Sequence, residues 1–230
     1  MEPTEEMLAR IRGRYGLEPP KAREERPAPP APLRRGSRRP PEPRAVEILP
    51  GRAVGALALG MAREELEAAL ARRRAAEAEL DDPAAPLYPG PLGLDYGGCG
   101  GVESVRYFVT PYELYLVDYE GGRAVSIGVQ RDVLARYVPT LYGVSVFETH
   151  AEELVARLKA RGPCTCGGPD EELGCAYTFE TLGLSLWRER AFHPKLLEDG
   201  AFAQAFRGEL LEEEMRYWYF EIVSVHRPKK

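Results

Sequence analysis

The sequence predicts an α+β protein: two related modules of helix and antiparallel sheet behind an N-terminal arm with no core of its own. Three observations predict it. A helix-like stretch recurs downstream in altered form, strand-like stretches follow each copy, and nine of the 21 prolines fall within residues 18–45. Sliding the sequence by 88 positions brings Glu64, Glu65, Leu66, Ala68, Leu70 and Arg73 onto Glu152, Glu153, Leu154, Ala156, Leu158 and Arg161. Leu92-Gly93-Leu94 then meets Leu182-Gly183-Leu184 at an offset of 90. Two matches in one order at nearly one offset point to a duplicated unit of about 90 residues.

Residues 1–17 are expected to form a short helix or tail. Thr4 is placed to cap it, Glu5 and Glu6 suit the positive end of the helix dipole, and Leu8, Ile11 and Tyr15 follow at helical spacing before Gly16. A frayed terminal helix and a docking peptide both fit. In residues 18–45 proline removes backbone donors and restrains its neighbours, so this stretch reads as a disordered, Pro/Arg-rich spacer.

The first module spans 46–137. Val46, Ile48, Val54, Leu57 and Leu59 fit an extended segment ending at Gly60; a helix follows from Ala62 to Ala78, with Leu66, Ala69, Leu70 and Arg73 along one face. Strands are expected at 92–96, 102–109, 113–119 and 124–130. Glu120-Gly121-Gly122-Arg123 supplies the positive φ of a tight hairpin. The second module spans 138–227. Thr149-x-x-Glu152 reads as a capping box for a helix over 150–159, closed by Gly162-Pro163. Strands at 176–181 and 184–189, a helix near 196–213 and a last strand at 216–225 complete it.

Charge narrows the functional classes. Residues 1–45 hold 11 Lys/Arg against 7 Asp/Glu, whereas the rest hold 20 against 29, an acidic body of net −9. DNA-binding domains concentrate basic charge on the folded body, so nucleic acid is not an expected partner. No apolar run approaches the roughly 18 residues of a membrane span, and Met1-Glu2-Pro3-Thr4-Glu5-Glu6 lacks a secretory h-region. The expectation is a cytoplasmic protein with reduced thiols and no membrane association.

The stretch Leu59-Gly60-Met61-Ala62-Arg63-Glu64-Glu65-Leu66 resembles the Leu-Gly-Met-Ser/Thr-x-Glu-Glu/Gln-Val pattern of BamE/SmpA-like domains and the similar tandem modules of β-lactamase-inhibitor-protein-like chains. The match covers about eight residues; the later Gly-Leu strand and hairpin agree in layout. Related signatures occur in bacterial proteins that look like immunity proteins. The resemblance implies a helix-plus-antiparallel-sheet module that binds other proteins. Two departures stand out. Ala62 replaces the capping Ser or Thr, at a cost of roughly 1 kcal/mol. The chain also shows neither lipobox nor signal, so the lipoprotein and secreted-inhibitor roles are not expected to carry over.

Aromatic residues are the best candidates for a binding surface. Tyr115 and Tyr119 alternate with Leu114 and Leu116; Trp187 and Glu189 alternate with Leu184 and Leu186; Tyr217 and Tyr219 lie in the last predicted strand. With helices on the leucine face, these residues form an aromatic and acidic surface whose expected partner is a basic protein. Alternatively the two modules pack sheet to sheet and bury the rings. Cys164, Cys166 and Cys175 support a rival reading, a small metal- or thiol-dependent protein, although Cys-x-Cys lacks the usual zinc spacing. A third is a structural adaptor tethered by the N-terminal arm. No catalytic constellation is present: His150, His193 and His226 are widely separated, and Gly97-Gly98-Cys99-Gly100-Gly101 lacks the Lys-Ser/Thr of a phosphate loop. The expectation is a non-enzymatic binding protein without cofactor or metal, its oligomeric state open.

Overall fold

Alternating burial along strands Val102–Thr110, Glu113–Glu120, Ala176–Phe179, Leu184–Trp187 and Ile222–His226 marks the inward face of the main sheet. The computed structural model describes residues 44–80, 90–132, 137–168 and 170–229, apart from the side chains of 78–80. The expected helix near the N-terminus and the spacer up to residue 43 lie outside the described residues. The chain opens with β1 (Arg44–Leu49), β2 (Ala53–Val54) and β3 (Leu57–Ala58), then α1 (Arg63–Leu80). Four strands follow: β4 (Gly93–Cys99), β5 (Val102–Thr110), β6 (Glu113–Glu120) and β7 (Arg123–Gln130). β8 (Tyr137–Leu141), β9 (Val144–Ser145) and α2 (Ala151–Lys159) come next. Then β10 (Thr165–Cys166), β11 (Ala176–Phe179) and β12 (Leu184–Trp187) lead to the short helices α3 (Gly200–Ala205) and α4 (Glu209–Met215), and β13 (Ile222–His226) closes the fold. The architecture is α+β.

The eight-stranded sheet runs β10-β11-β12-β13-β7-β6-β5-β4, antiparallel throughout. Strands before and after α2 thus occupy opposite halves in mirrored order, joined where Val223 and Val225 face Val129 and Ile127. A five-stranded sheet, β3-β2-β1-β8-β9, includes the parallel pair β1/β8. Its β2 and β3 lie against β7, and backbone bonds from Gly60 N to Ala124 O (2.7 Å) and Ala124 N to Met61 O (2.9 Å) stitch the two sheets together. Val46, Ile48, Leu66, Leu70, Leu154 and Leu158 join the inward residues of the large sheet in one buried cluster.

The predicted hairpin at 120–123 is present: β6 ends at Glu120, β7 begins at Arg123, and Gly121 and Gly122 both have positive φ, 56° and 72°. Tyr142 (φ 50°) pairs with Gly143 in the equivalent tight turn between β8 and β9, a costly conformation for a residue with a Cβ.

Both main helices start close to where the sequence places them, but their caps differ from expectation. Thr149 does not cap α2. Its hydroxyl donates to Ser145 O at 2.6 Å, His150 occupies the cap position, and the Glu152 carboxylate accepts from the Trp218 indole instead. At α1, where Ala62 offers no side-chain cap, Glu65 reaches back to the Ala62 N–H at 3.1 Å and supplies half of a capping box. The helix expected near 196–213 is broken into a 3₁₀ turn (Pro194–Glu198), α3 and α4. Residues 216–218, expected in the last strand, form a second 3₁₀ turn. Asp199 and Gly208 explain the breaks: Asp199 accepts from Ala201 N at 2.8 Å and so starts α3, and Gly208 takes φ 56° before α4.

Because Leu154 is 1% exposed within the shared core, Leu154→Ala is expected to lower the unfolding free energy by about 2–5 kcal/mol. Thr149→Ala, which loses one hydrogen bond, should cost about 1 kcal/mol. Urea denaturation of the two variants checks the contrast.

Candidate protein-binding face

The two faces of the large sheet differ in what covers them. On β6 the sequence leaves open which side chains point inward, because both faces are apolar. Register decides it: Tyr107 pairs with Tyr115 and Val105 with Val117, and all four are buried. The tyrosines therefore point toward α1, and the leucines point away, the reverse of the arrangement that would expose the rings. Tyr115 and Tyr119 are 4% and 1% exposed.

The rings can be buried because their hydroxyls find partners. Tyr107 Oη donates to Glu67 Oε1 at 2.9 Å and shares a 2.9 Å bond with Tyr119 Oη. Tyr115 Oη donates to Glu113 at 2.8 Å, and that buried carboxylate also accepts from Arg44 (3.0 Å) and Arg73 (3.3 Å). Burial pushes the Tyr119 phenol up to about 12, with the Glu67 carboxylate reinforcing it. Burial likewise raises Tyr107 and Tyr115, helped by Glu67 and Glu113 respectively, and pushes Tyr177 up to about 12.

Trp187 and Glu189, by contrast, are exposed, and Leu184 and Leu186 point inward as the alternation predicts. Tyr217 is 1% exposed and contributes no surface ring. Its carbonyl oxygen accepts from Arg188 Nη1, and the wholly buried Arg188 guanidinium also donates to Gly174 O and Glu172 O, each at 2.9 Å. Burial lowers the pKa of that guanidinium. Tyr219 is half-buried at the junction with α2, where its hydroxyl lies 3.1 Å from His150 Nε2 and Arg131 covers its ring. His150 also stacks on Trp218 with centroids 3.7 Å apart. Of the six candidate surface residues, only Trp187 and Glu189 are thus exposed.

The away-facing side of the sheet has a pattern of its own. Gly128, Ser224, Ser185 and Thr178 stand side by side across β7, β13, β12 and β11, a strip of small side chains. A Cβ on Gly128 would come within 2.5 Å of Ser224 Oγ. Beside the strip runs a bulkier row in which Gln130 faces Ile222 and Ile222 faces Trp187. On its other side Ser104, Asp118, Ser126 and His226 are cross-strand neighbours, and Ser104 Oγ donates to Asp118 at 2.6 Å. At the β4 edge Leu94 and Tyr96 are 43% and 45% exposed, with Arg106 over the Tyr96 ring at 4.4 Å. Among the described residues no helix is paired with this face; α1 packs on β5 from the tyrosine side. No family model, curated protein or solved structure matches the chain.

Leu94, Tyr96 and Ile222 were not singled out by sequence reasoning. The signal for Ile222 lies in its alternation with Val223 and Val225, whereas Tyr217 and Tyr219 belong to a segment that is not a strand. Cys99 is exposed and Cys164, Cys166 and Cys175 are half-buried; all four are free thiols. Among the described residues no His, Cys, Asp or Glu cluster is arranged to hold a metal ion. Burial raises the Cys164 thiol, which favours the less nucleophilic protonated form. His193 caps the 3₁₀ turn by accepting from Lys195 N. No described helix is long and apolar enough to cross a membrane.

The buried phenols make stability pH-dependent. With folded values raised to about 12 for Tyr119 and Tyr177 against about 10 in the unfolded chain, the folded state holds more protons between those limits. Their stabilisation is complete below pH of about 10 and is lost as pH rises toward about 12. Alkaline titration followed by circular dichroism and phenolate absorbance should show unfolding coincident with ionisation of these tyrosines.

Proposed function

We propose that this chain is a cytoplasmic protein-binding module of the immunity or inhibitor kind that occludes its partner with the face of the eight-stranded sheet opposite α1. The observation that carries the reading is one-sided cover among the described residues: α1, α2 and the small sheet share one buried cluster with the inward face, and the other face presents Trp187 beside a strip of Ser, Thr and Gly. Trp is among the residue types that most often dominate the energetics of an interface. The small strip leaves the backbone open to close approach by a partner.

The proposal includes the architecture behind the face, two tandem modules of the BamE/SmpA-like kind. The order of elements supports it. The helices begin 88 residues apart at Arg63 and Ala151, Leu66 and Leu70 are buried as Leu154 and Leu158 are, and each helix is followed by four strands of the large sheet. A cleft between paired modules is not needed for binding in this arrangement; the shared sheet is itself the surface. The net −9 of residues 46–230 keeps a basic protein as the expected partner class.

Trp187→Ala and Ser185→Arg test the reading, since the first removes the anchor and the second fills the strip. Partner capture from the native host's lysate is expected to fall by about tenfold or more for each, with thermal midpoints close to wild type. Undiminished capture by both variants would contradict it.

A further inference from the structure

A sheet edge carries unpaired backbone N–H and C=O groups, and folded proteins ordinarily keep such edges short or guard them with Lys or Pro. Among the described residues three of the four sheet edges are short: β3, β9 and β10 are two residues long. β4 is the exception. It runs for seven residues, Gly93–Cys99, of which all but Gly93 are exposed, and it contains neither Lys nor Pro. Its one irregularity is a bulge at which Tyr96 has no partner on β5. Phe108 N donates to Leu92 O at 2.7 Å, so antiparallel alternation turns the backbone groups of Leu94 toward β5 and those of Gly93 and Asp95 outward.

The two sides of this edge differ in chemistry. Toward α1, three carboxylates share the Arg63 guanidinium: Glu67 at 2.9 Å, Asp95 at 3.0 Å and Glu103 at 3.3 Å. The Asp95 and Glu103 side chains stay 73% and 67% exposed, and Gly97 and Gly98 place no side chain between Glu103 and the edge. One cation among three anions leaves that side negative. On the other side stand Leu94 and Tyr96, with Arg106 over the Tyr96 ring. We propose that β4 is the docking edge for an extended segment of a second protein, which adds to it antiparallel as a ninth strand. Lys or Arg of that segment face Asp95 and Glu103, and its apolar side chains face Leu94 and Tyr96. Antiparallel addition continues the pattern of the whole sheet and follows the strand-addition mode of recognition. Charge decides against a second copy of this chain as the occupant. β4 paired antiparallel with its own copy would set Asp95 and Glu103 of both chains on one side of the joined sheet, like charge against like. Trp187 lies five strands away, about 24 Å, so this edge does not depend on the reading of the sheet face.

Two residues that exchange both backbone bonds in an antiparallel pair also share a face, so the residue opposite Asp95 must be the cation and must offer its own N–H. The test therefore uses the full chain and synthetic peptides of about nine residues: alternating Lys and Val, its Glu/Val counterpart, and two Lys/Val forms N-methylated at every Lys or at every Val. The methylated forms carry the same charge and differ only in which backbone edge is blocked. Calorimetry is expected to show saturable one-to-one binding of the Lys/Val peptide and of the form methylated at Val. The form methylated at Lys should bind about tenfold or more weakly, and the Glu/Val peptide not at all. Asp95→Pro removes an outward N–H while Leu94 keeps its bonds to β5, and should also cost about tenfold or more. Asp95→Asn keeps the N–H and should cost only about threefold. Circular dichroism checks that each variant folds, and hydrogen exchange on the unaltered chain reads the same edge independently: the amides of Gly93 and Asp95 should exchange more slowly with the Lys/Val peptide bound. Absence of Lys/Val binding, equal binding by the two methylated forms, equal binding of the Glu/Val peptide, or unchanged exchange at Gly93 and Asp95 would each overturn the proposal.

Discussion

Burying a phenol obliges the structure to bring an acceptor to it, and that obligation shapes the first half of this protein. Tyr107, Tyr115 and Tyr119 occupy the sheet face under α1, so the helix and the strand ends carry carboxylates into the interior. Glu67 serves the Tyr107–Tyr119 pair, and Glu113, held by Arg44 and Arg73, serves Tyr115. The face of α1 toward the sheet is consequently mixed, with Leu66 and Leu70 beside Glu67, Arg73 and Glu77. Removing one member would leave the others buried and unsatisfied, which costs more than the bond itself contributes.

Covering the tyrosines on one face leaves the leucines, serines and threonines on the other. In the second half the covered face is more conventionally apolar, with Phe179, Leu184, Leu186 and Phe220, and its polar load falls on Arg188. Three backbone carbonyls satisfy that guanidinium, and in doing so they tie residues 172–174 to the turn at Tyr217. Two different solutions to burial thus support one continuous sheet, whose other face adds no side chain to the buried cluster among the described residues. The accessible surface follows from what the interior had to accommodate.

Much of this was legible in the chain. The offset of 88 placed both helices, the Gly121-Gly122 turn placed a hairpin, and the alternation at 184–187 assigned faces correctly. The failures share a cause in competition between local and tertiary partners. Alternation at 113–119 could not say which face was inside, since Leu against Tyr is decided by cross-strand neighbours such as Tyr107, which bonds the Tyr119 hydroxyl and itself donates to Glu67 on α1, 40 positions earlier. The capping box at Thr149 failed because Glu152 is more valuable to the Trp218 indole, whose N–H lies 2.8 Å from both its oxygens. The strand expected through Tyr217 and Tyr219 failed because Arg188 and His150 hold those residues in a turn against α2.

We propose that the face of the sheet opposite α1, and not the helix side, meets the partner. Photo-crosslinking tests it most directly, with a photoreactive amino acid at position 185 or 187 on the sheet, or at the exposed positions 64 or 72 on α1. In lysate from the native host, the account predicts one dominant crosslinked protein from positions 185 and 187 and none from 64 and 72. The same partner captured only from 64 and 72 would place the interface on the helices and contradict the account.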